Sequence, residues 1–185
     1  AGVNITASHN PREYNGYKAY WEDGAQVLAP HDKGIIDEVN KVKVEDVKFE
    51  GNKALIEIIG EEIDKIYLDK VKTISIDPQV IKNQHDLKIV YTPLHGAGRV
   101  IIPRALASWG FDNVHCVKEQ MVKDGNFPTV DRPNPEIAEA LTLGLRDAKA
   151  LDADILMASD PDADRVGMAC KNCDGEWVLI NGNQT

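Results

Sequence analysis

Three aspartates at alternate positions are the strongest candidate for a reactive site in this sequence. They lie in D-P-D-A-D-R, residues 160–165, directly after an apolar run that has the character of a strand. Carboxylate oxygens this close together repel one another unless a cation lies between them. Hard oxygen ligands suit Mg²⁺ or Ca²⁺ rather than a metal that prefers thiolates. Asp160, Asp162 and Asp164 are therefore predicted to ligate a divalent cation, with a solvated acidic turn as the alternative.

The acidic loop has two other interpretations. An EF-hand loop requires glycine at its sixth position and glutamate at its twelfth, where this sequence has Arg165 and Lys171, and its flanks have the pattern of strands; it is excluded. In a haloacid-dehalogenase-type phosphatase an aspartate after a strand is phosphorylated, and Asp160 and Asp162 resemble its D-x-D. Asp164 stands where that family has threonine or valine, so this phosphatase stays open as the second hypothesis.

A serine near the beginning of the chain could supply the second half of a site. T-A-S-H-N-P occupies residues 6–11, but a serine hydroxyl is a weak nucleophile without a base or a stabilising cation. A phosphate on Ser8 would give the cation held by the aspartates one more hard oxygen. Arg165 and Lys18 could neutralise the remaining charge, and His9 could bind or shuttle a proton. The combination predicts phosphoryl transfer, with the serine loop facing the acidic loop.

Composition narrows the class of protein. The chain has 185 residues, 43% of them hydrophobic and 28% charged, with a net charge of −9. The negative charge argues against nucleic acid or an anionic membrane as partner, although a small anionic substrate remains compatible because local charge decides that. Three cysteines are too few for a disulfide framework, and no apolar run is long enough to cross a bilayer, so a cytoplasmic location is predicted. Because it opens at Ala1 without a methionine, the chain is expected to be an excised fragment.

The first part of the chain is predicted to hold short strands and two helices. G-V-N-I-T is typical of a strand, and Asp23-Gly24 predicts a hairpin turn between Y-K-A-Y-W and A-Q-V-L. Asp32 is a candidate N-cap for a helix with Ile35, Ile36, Val39 and Val42 on its apolar face. A-L-I-E-I-I fits a strand or a helix, and a second helix is predicted from Glu61.

From Leu87 the pattern alternates between strands and helices. Strands are predicted at L-K-I-V-Y, N-V-H-C-V and A-D-I-L-M-A, with helices between them, the first ending before Gly110. R-V-G-M-A-C and E-W-V-L-I flank an N-C-D-G turn and predict a closing hairpin. The predicted fold class is therefore α/β: mixed sheets with flanking helices and a parallel βαβαβ core closed by a β-hairpin. A domain boundary is expected near Gly60.

Two further motifs carry weaker signals. Cys170 and Cys173 form a C-x-x-C across a turn with no second pair, which argues against a zinc or redox site. G-A-G at residues 96–98 lacks the third glycine of a dinucleotide-binding loop, since Ile101 holds that position. This loop opens a helix, so a contact to an anion or substrate is possible. His95 is a candidate there, with a structural histidine as the alternative.

These motifs together resemble one enzyme family. T-A-S-H-N-P, followed by N-G-Y-K and later by D-P-D-A-D-R, resembles the α-D-phosphohexomutase superfamily. Y-W-E-D-G-A-Q, T-P-L-H-G-A-G and D-G-N-F-P-T-V-D-R-P-N-P-E are similar to its type-2 phosphoglucomutase branch. The resemblance implies a phosphoglucomutase-like fold of four domains. Residues 1–60 would end the first domain and carry the phosphoserine loop, 61–181 would form the second with the metal loop, and 182–185 would begin the third.

The resemblance also implies roles for the site residues. Ser8 matches the family's phosphoserine, and with Asp160, Asp162 and Asp164 it would ligate Mg²⁺. His9 and Lys18 match neighbours that act in binding and proton transfer. Substrate or phosphate binding is assigned to Asn10, Arg165 and His95.

The implied reaction moves a phosphoryl group within a sugar phosphate. Phospho-Ser8 would interconvert glucose 1-phosphate and glucose 6-phosphate through glucose 1,6-bisphosphate. Phosphopentomutase and phosphomannomutase activities stay open, because the sugar-selecting parts would lie beyond Thr185. The isolated chain is expected to be inactive as a mutase, and a non-catalytic cation-binding module is a further alternative.

Overall fold

A computed structural model describes residues 1–180 and 182–185 and contains two separate sheets. The predicted end of the second domain, residue 181, lies outside the described residues. The smaller sheet pairs β1 (Gly2–Ile5) with β2 (Tyr17–Tyr20) in antiparallel register, from Gly2 opposite Tyr20 to Ile5 opposite Tyr17. The first predicted strand is thus confirmed, and this sheet carries the serine loop between its two strands.

The predicted hairpin around Asp23-Gly24 forms in part. The turn closes, with the amide of Trp21 donating to Ala25, but A-Q-V-L contributes a single bridge, between Tyr20 and Gln26, rather than a strand. Leu28 is largely exposed and Val27 only half-buried, so this segment buries little apolar surface against the sheet. The Asp23-Gly24 turn alone is therefore not sufficient for A-Q-V-L to form a strand beside β2.

Three helices lie in the stretch before the larger sheet: α1 (His31–Val39), α2 (Glu61–Lys72) and α3 (Pro78–Asn83). The prediction of Asp32 as N-cap is wrong. Pro30 holds the cap position and Asp32 lies in the first turn, where a carboxylate is stabilised by the positive end of the helix dipole. The predicted α2 is confirmed.

The helix α3 was not predicted from the sequence, although the residues at its start are typical of a helix N-terminus. Asp77 accepts hydrogen bonds from the amides of Gln79 and Val80, and Pro78 stands at the first helical position. The segment A-L-I-E-I-I, which fitted a strand or a helix, is neither: a short 3-10 turn at Lys53–Leu55 is followed by irregular, exposed chain.

The larger sheet has five strands in the order β4-β3-β5-β6-β7. Their bounds are β3 (Ile89–Thr92), β4 (Val114–Cys116), β5 (Ile155–Ser159), β6 (Val166–Lys171) and β7 (Trp177–Ile180). The first three strands run parallel, and β6 and β7 form an antiparallel hairpin on β5. The predicted fold class, a parallel βαβαβ core closed by a hairpin, is confirmed.

Two helices make the crossovers of this sheet. The first, α4 (Gly98–Trp109), ends before Gly110 as predicted. The φ of 106° at Gly110 is the left-handed conformation typical of a helix C-terminal cap. The second helix, α5 (Thr142–Ala150), follows directly on a 3-10 turn at residues 138–141. Because β3 lies between its two parallel neighbours, right-handed crossovers place α4 and α5 on opposite faces of the sheet.

The hydrophobic core lies under the parallel strands. Every residue before Ile89 keeps some solvent exposure. Val90 and Leu156, on neighbouring central strands, are fully buried together with Ala148 of α5 and Leu141 at its start. Packing therefore fixes the carboxyl ends of β3 and β5, from which two loops emerge side by side. The boundary expected near Gly60 stays a prediction; α2, which starts directly after it, packs against α4. None of the helices in the described residues is both long and apolar enough to cross a membrane.

Candidate functional site

The acidic loop begins where β5 ends, at the carboxyl edge of the parallel strands. Asp160 is fully buried there, and its Oδ1 accepts hydrogen bonds from the backbone amides of Asp164 (3.1 Å) and Arg165 (3.0 Å). Ala163 takes a left-handed φ of 61°, which turns the loop back on itself. The first aspartate thus shapes the loop that carries the other two.

The three carboxylates converge on one point. Each of Asp160, Asp162 and Asp164 offers an oxygen, and these oxygens lie within 4.8 Å of one another. Asp162 Oδ1 is buried and has no hydrogen-bond partner among the described residues. A buried carboxylate oxygen without a partner is costly unless something fills its coordination. The donor set and this unpartnered oxygen both fit a hard divalent cation.

The serine loop reaches the acidic loop across 152 positions of sequence. Ser8 Oγ donates a hydrogen bond of 2.8 Å to Asp160 Oδ2, and His9 Nδ1 lies 3.2 Å from the same hydroxyl. Ser8 has a left-handed φ of 53°, held by a 2.8 Å bond from its amide to Thr6 Oγ1 and by the turn that the amide of Asn10 closes on Ala7. Such a backbone conformation needs support and is typical of functional sites. The expectation that the two loops face each other is confirmed.

Lys18 joins the same cluster from β2. Its ammonium lies 2.9 Å from Asp162 Oδ2 and 3.4 Å from Asp164 Oδ2. The hydrogen bond to Asp162 is the main reason that the pKa of Lys18 is raised, against the opposing effect of burial. Lys18 therefore stays protonated and offsets part of the negative charge of the loop.

The two buried aspartates have opposite pKa shifts. Burial, followed by the hydrogen bond with Asp162, raises the pKa of Asp160 to about 6. Burial is also the largest effect on Asp162 and acts to raise its pKa, but the hydrogen bonds with Lys18, Asp160 and Ser8 and the charge of Lys18 together outweigh it, so the pKa is lowered. Two close carboxylates in one site titrate apart in this way because each opposes the ionisation of the other. At neutral pH both carry the charge that a cation needs.

The remaining predicted site residues, Arg165, Asn10 and His95, differ in their exposure and in their contacts. Arg165 is exposed, and its guanidinium forms a loose ion pair of 3.9 Å with Glu136, so an anion from solvent can still reach it. Asn10 is exposed beside Ser8. His95 is buried, and both of its ring nitrogens are engaged, with Val122 O and Thr129 Oγ1 at 2.8 Å each. A substrate contact from His95 stays a prediction, and these contacts favour its structural alternative.

The residues that support the acidic loop were not predicted from the sequence. A Cβ on Gly96 would lie 2.3 Å from Pro161 Cα, so the two loops meet at a distance that a side chain would prevent. The amide of Ala97 donates to Pro161 O at 2.8 Å. The signal was present in the G-A-G of residues 96–98, but it indicated close approach of another loop rather than of a nucleotide.

Two family models and several curated proteins match this chain. The family model described as phosphoglucomutase/phosphomannomutase, alpha/beta/alpha domain II, matches residues 65–175, and the model of domain I matches residues 1–46. A probable phosphomannomutase of Haemophilus influenzae is 38% identical over 99% of this chain and 37% of its own length. A phosphoribomutase of Saccharomyces cerevisiae is 39% identical over 99% and 32%. A phosphoglucomutase of Staphylococcus haemolyticus is 36% identical over 100% and 34%.

A solved structure supports the fold in the same way. The crystal structure of a phosphomannomutase candidate from Thermus thermophilus superposes with a TM-score of 0.72 at 25% identity, over 91% of this chain and 36% of the other. The chain thus spans about a third of the length of the curated relatives it matches.

Proposed function

Because the chain belongs to the phosphoglucomutase/phosphomannomutase family, we propose that it is part of a phosphosugar mutase in which Ser8 carries the transferred phosphoryl group. The observation that carries this proposal is the 2.8 Å hydrogen bond from Ser8 Oγ to Asp160 Oδ2. Through this bond the Ser8 hydroxyl, in the loop of the smaller sheet, contacts the acidic loop of the larger sheet, whose carboxylates fit a divalent cation. The activity is proposed for the longer protein, since the relatives are about three times as long.

The proposed reaction consists of two successive phosphoryl transfers, first from Ser8 to the sugar and then from the sugar back to Ser8. In the first half the bond between phosphorus and Ser8 Oγ breaks, and a bond forms from phosphorus to a free hydroxyl oxygen of the sugar monophosphate. That hydroxyl loses its proton, and the serine is left as an alcohol. In the second half the other phosphate of the bisphosphate returns to Ser8 Oγ, so no phosphate is gained or lost.

His9 and Lys18 are proposed to handle protons and charge. His9 Nδ1 lies 3.2 Å from Ser8 Oγ, within reach of a proton that moves to or from that oxygen. Lys18, with its raised pKa, remains a cation and is suited to stabilise phosphate oxygens rather than to act as a base at neutral pH. Arg165 offers a second partly exposed cation for the substrate phosphate, and Asn10 a polar side chain beside the serine.

Magnesium is the proposed cofactor. Asp160, Asp162 and Asp164, with an oxygen at Ser8, would hold it; hard carboxylate ligands and the unpartnered Asp162 Oδ1 support the choice. When bound, the ion supplies charge stabilisation for the phosphoryl oxygens. The loop itself keeps its carboxylates converged through the two backbone amides that bind Asp160.

Glucose phosphates are the proposed substrates: glucose 1-phosphate and glucose 6-phosphate, with glucose 1,6-bisphosphate as intermediate. The motifs shared with type-2 phosphoglucomutases and the similarity to the Staphylococcus haemolyticus enzyme support this choice. Mannose and pentose phosphates are the alternatives, supported by the relatives from Haemophilus influenzae and Saccharomyces cerevisiae. We propose residues 1–60, 61–181 and 182–185 as parts of three successive domains, and a cytoplasmic location.

The aspartyl-phosphate phosphatase is the weaker alternative. Its nucleophile would be Asp160, but this side chain is fully buried and both of its oxygens accept hydrogen bonds, from Ser8 and from two backbone amides. An attacking oxygen must approach the phosphorus directly, and the Ser8 hydroxyl already lies against Asp160 Oδ2. Asp160 is therefore better suited to hold a cation and a hydroxyl than to attack.

Replacement of the serine tests the proposal. In the full-length protein, Ser8→Ala should lower the conversion of glucose 1-phosphate to glucose 6-phosphate by a factor on the order of 10³ or more, because the group that carries the phosphoryl is lost. Ser108→Ala is the matched control, since Ser108 is exposed at the end of α4 and should leave turnover unchanged. Equal turnover in Ser8→Ala and the control would contradict the proposal.

A further inference from the structure

The loop that follows β3 presses directly on the acidic loop. In the loop of residues 93–98, Gly96 lies so close to Pro161 that it has no room for a Cβ, and the amide of Ala97 donates to Pro161 O at 2.8 Å. This bond orients the peptide unit between Pro161 and Asp162. The position of Gly96 and Ala97 therefore sets the direction in which Asp162 leaves the backbone.

The backbone just before Gly96 is held in an uncommon conformation. Leu94 and His95 both have left-handed φ values, 47° and 66°, which are costly for residues that carry side chains. Both are buried. Two consecutive residues in this conformation persist only where surrounding contacts stabilise them. The contacts of His95 provide that stabilisation.

His95 is anchored at three points to the segment that follows β4. Its amide donates to Gln120 O at 2.9 Å, and its Nδ1 lies 2.8 Å from Val122 O. A backbone carbonyl accepts hydrogen bonds, so Nδ1 is the donor, and in the neutral ring Nε2 accepts from the Thr129 hydroxyl at 2.8 Å. The imidazole thus joins two points, Val122 and Thr129, that are seven positions apart in one loop.

A second set of bonds extends this anchor back to β3. Gln120 Nε2 donates to Thr129 Oγ1 at 3.1 Å, and the Thr92 hydroxyl donates to Gln120 Oε1 at 2.6 Å. Thr92 Oγ1 in turn accepts from the amide of Leu94 at 3.2 Å. Each side-chain polar group of this buried network has a partner, which is the condition under which such a network fixes one conformation.

We propose that His95 is a positioning residue for the acidic loop: by anchoring the 93–98 loop to the 120–129 segment, it sets the affinity of the three aspartates for a divalent cation. The hydrogen bonds of His95 within the described residues reach none of the aspartates; it acts through Gly96, Ala97 and Pro161. The inference rests on the proposed function for the cation site alone. It differs from the substrate contact that the sequence suggested, because it needs no free nitrogen on the ring.

Calorimetric titration of the 185-residue chain with Mg²⁺, and with Mn²⁺ as a spectroscopic probe, tests the inference. His95→Ala should weaken cation binding about 10- to 100-fold, the range typical of residues that orient metal ligands. His95→Asn should recover part of that loss, because an Asn amide can still donate to Val122 O. His115→Ala is the matched control: His115 is a partly buried histidine on β4, paired with Asp147 and remote from Pro161 in sequence and contacts, and it should bind Mg²⁺ as the wild type does.

A milder variant covers the case in which His95→Ala does not fold. Thr129→Val keeps the side-chain shape and removes the hydroxyl that His95 Nε2 accepts from, so it should weaken binding about 3- to 10-fold in a chain with wild-type circular dichroism. Wild-type affinity in folded His95→Ala or in Thr129→Val overturns the inference and leaves the proposed function intact. A wild-type chain that binds neither ion, or binds as Asp162→Asn does, overturns the proposed cation site together with the inference.

Discussion

Lys18 and Asp162 form an ion pair of 2.9 Å across 144 positions of sequence, and the pair uses one oxygen of the carboxylate. The other oxygen, Asp162 Oδ1, is buried and has no hydrogen-bond partner among the described residues. One oxygen of the Asp162 carboxylate thus pairs with the Lys18 ammonium, and the other remains available to bind a metal cation. We therefore expect cation binding to depend on Asp162.

Asp162→Asn should therefore abolish tight cation binding. The substitution keeps the side-chain size and removes a charge, so we expect Mg²⁺ affinity to fall by a factor on the order of 100. Calorimetric titration of the chain measures it. Asp174→Asn, at the exposed turn between β6 and β7, removes the same charge elsewhere and should leave affinity unchanged. Equal losses in both variants would show that net charge rather than the site controls binding.

Lys18→Met should strengthen cation binding while it weakens catalysis. Removal of the ammonium leaves the acidic loop one unit more negative, and a Coulomb effect of about 1 kcal/mol corresponds to roughly 5-fold higher Mg²⁺ affinity. Turnover by the full-length protein should fall, because the cation proposed to stabilise phosphate oxygens is lost. Lys18→Arg keeps the charge and should retain near wild-type affinity. Weaker Mg²⁺ binding in Lys18→Met would contradict this account of Lys18.

Gly96→Ala should damage both the fold and the cation site. The added methyl group would lie 2.3 Å from Pro161 Cα, so the two loops must separate, at a cost of about 1–3 kcal/mol in the free energy of unfolding. Urea denaturation measures this cost, and calorimetry should show weaker Mg²⁺ binding in the folded fraction. Gly51→Ala is the control, since nothing lies within 4 Å of the Cβ it would add. A variant as stable and as tightly binding as this control would disprove the close contact.

Cation binding should weaken as the pH falls below 6. Burial, and next the hydrogen bond with Asp162, raises the pKa of Asp160 to about 6 in the metal-free protein. A proton then competes with the cation, and we expect apparent Mg²⁺ affinity to drop by up to about tenfold per pH unit below that value. Titrations between pH 5 and 8 measure it. An affinity that is unchanged down to pH 5 would be inconsistent with Asp160 as a ligand.

The raised pKa of Asp160 also determines how the stability of the metal-free chain depends on pH. Folding raises the pKa of Asp160 above its ordinary value of about 4, so the metal-free folded chain binds this proton more tightly than the unfolded chain. The contribution of Asp160 to stability is therefore full below about pH 4 and is lost as the pH rises through about 6. Bound Mg²⁺ should remove this dependence, because it takes the place of the proton; thermal melts with and without Mg²⁺ compare the two.

Parts of the fold with strong local signals were predictable from the sequence. The parallel strands around Val90 and Leu156 are short apolar runs, and Gly110 marks the end of α4 as expected. The parts that failed had exposed or competing signals. A-Q-V-L had a turn but little buried apolar surface, and Pro30 rather than Asp32 occupies the cap position of α1.

The site was predictable where residue type alone implies chemistry. The alternate aspartates, and a serine in an otherwise unexplained loop, indicated a cation and a phosphate from their chemistry. The support of that site was not predictable, because it depends on contacts between distant segments. Gly96 against Pro161, and His95 between Val122 and Thr129, are invisible in a sequence that does not say which loops emerge side by side.

Covalent phosphate on Ser8 is the most direct measurement of the central claim. The full-length protein, incubated with Mg²⁺ and glucose 1,6-bisphosphate, should carry one phosphate that is stable to acid and to hydroxylamine, located at Ser8 by mass spectrometry of its peptides, and absent in Ser8→Ala. A phosphate released by hydroxylamine and located at Asp160, or a protein that gains no phosphate while it still converts glucose 1-phosphate, would contradict it.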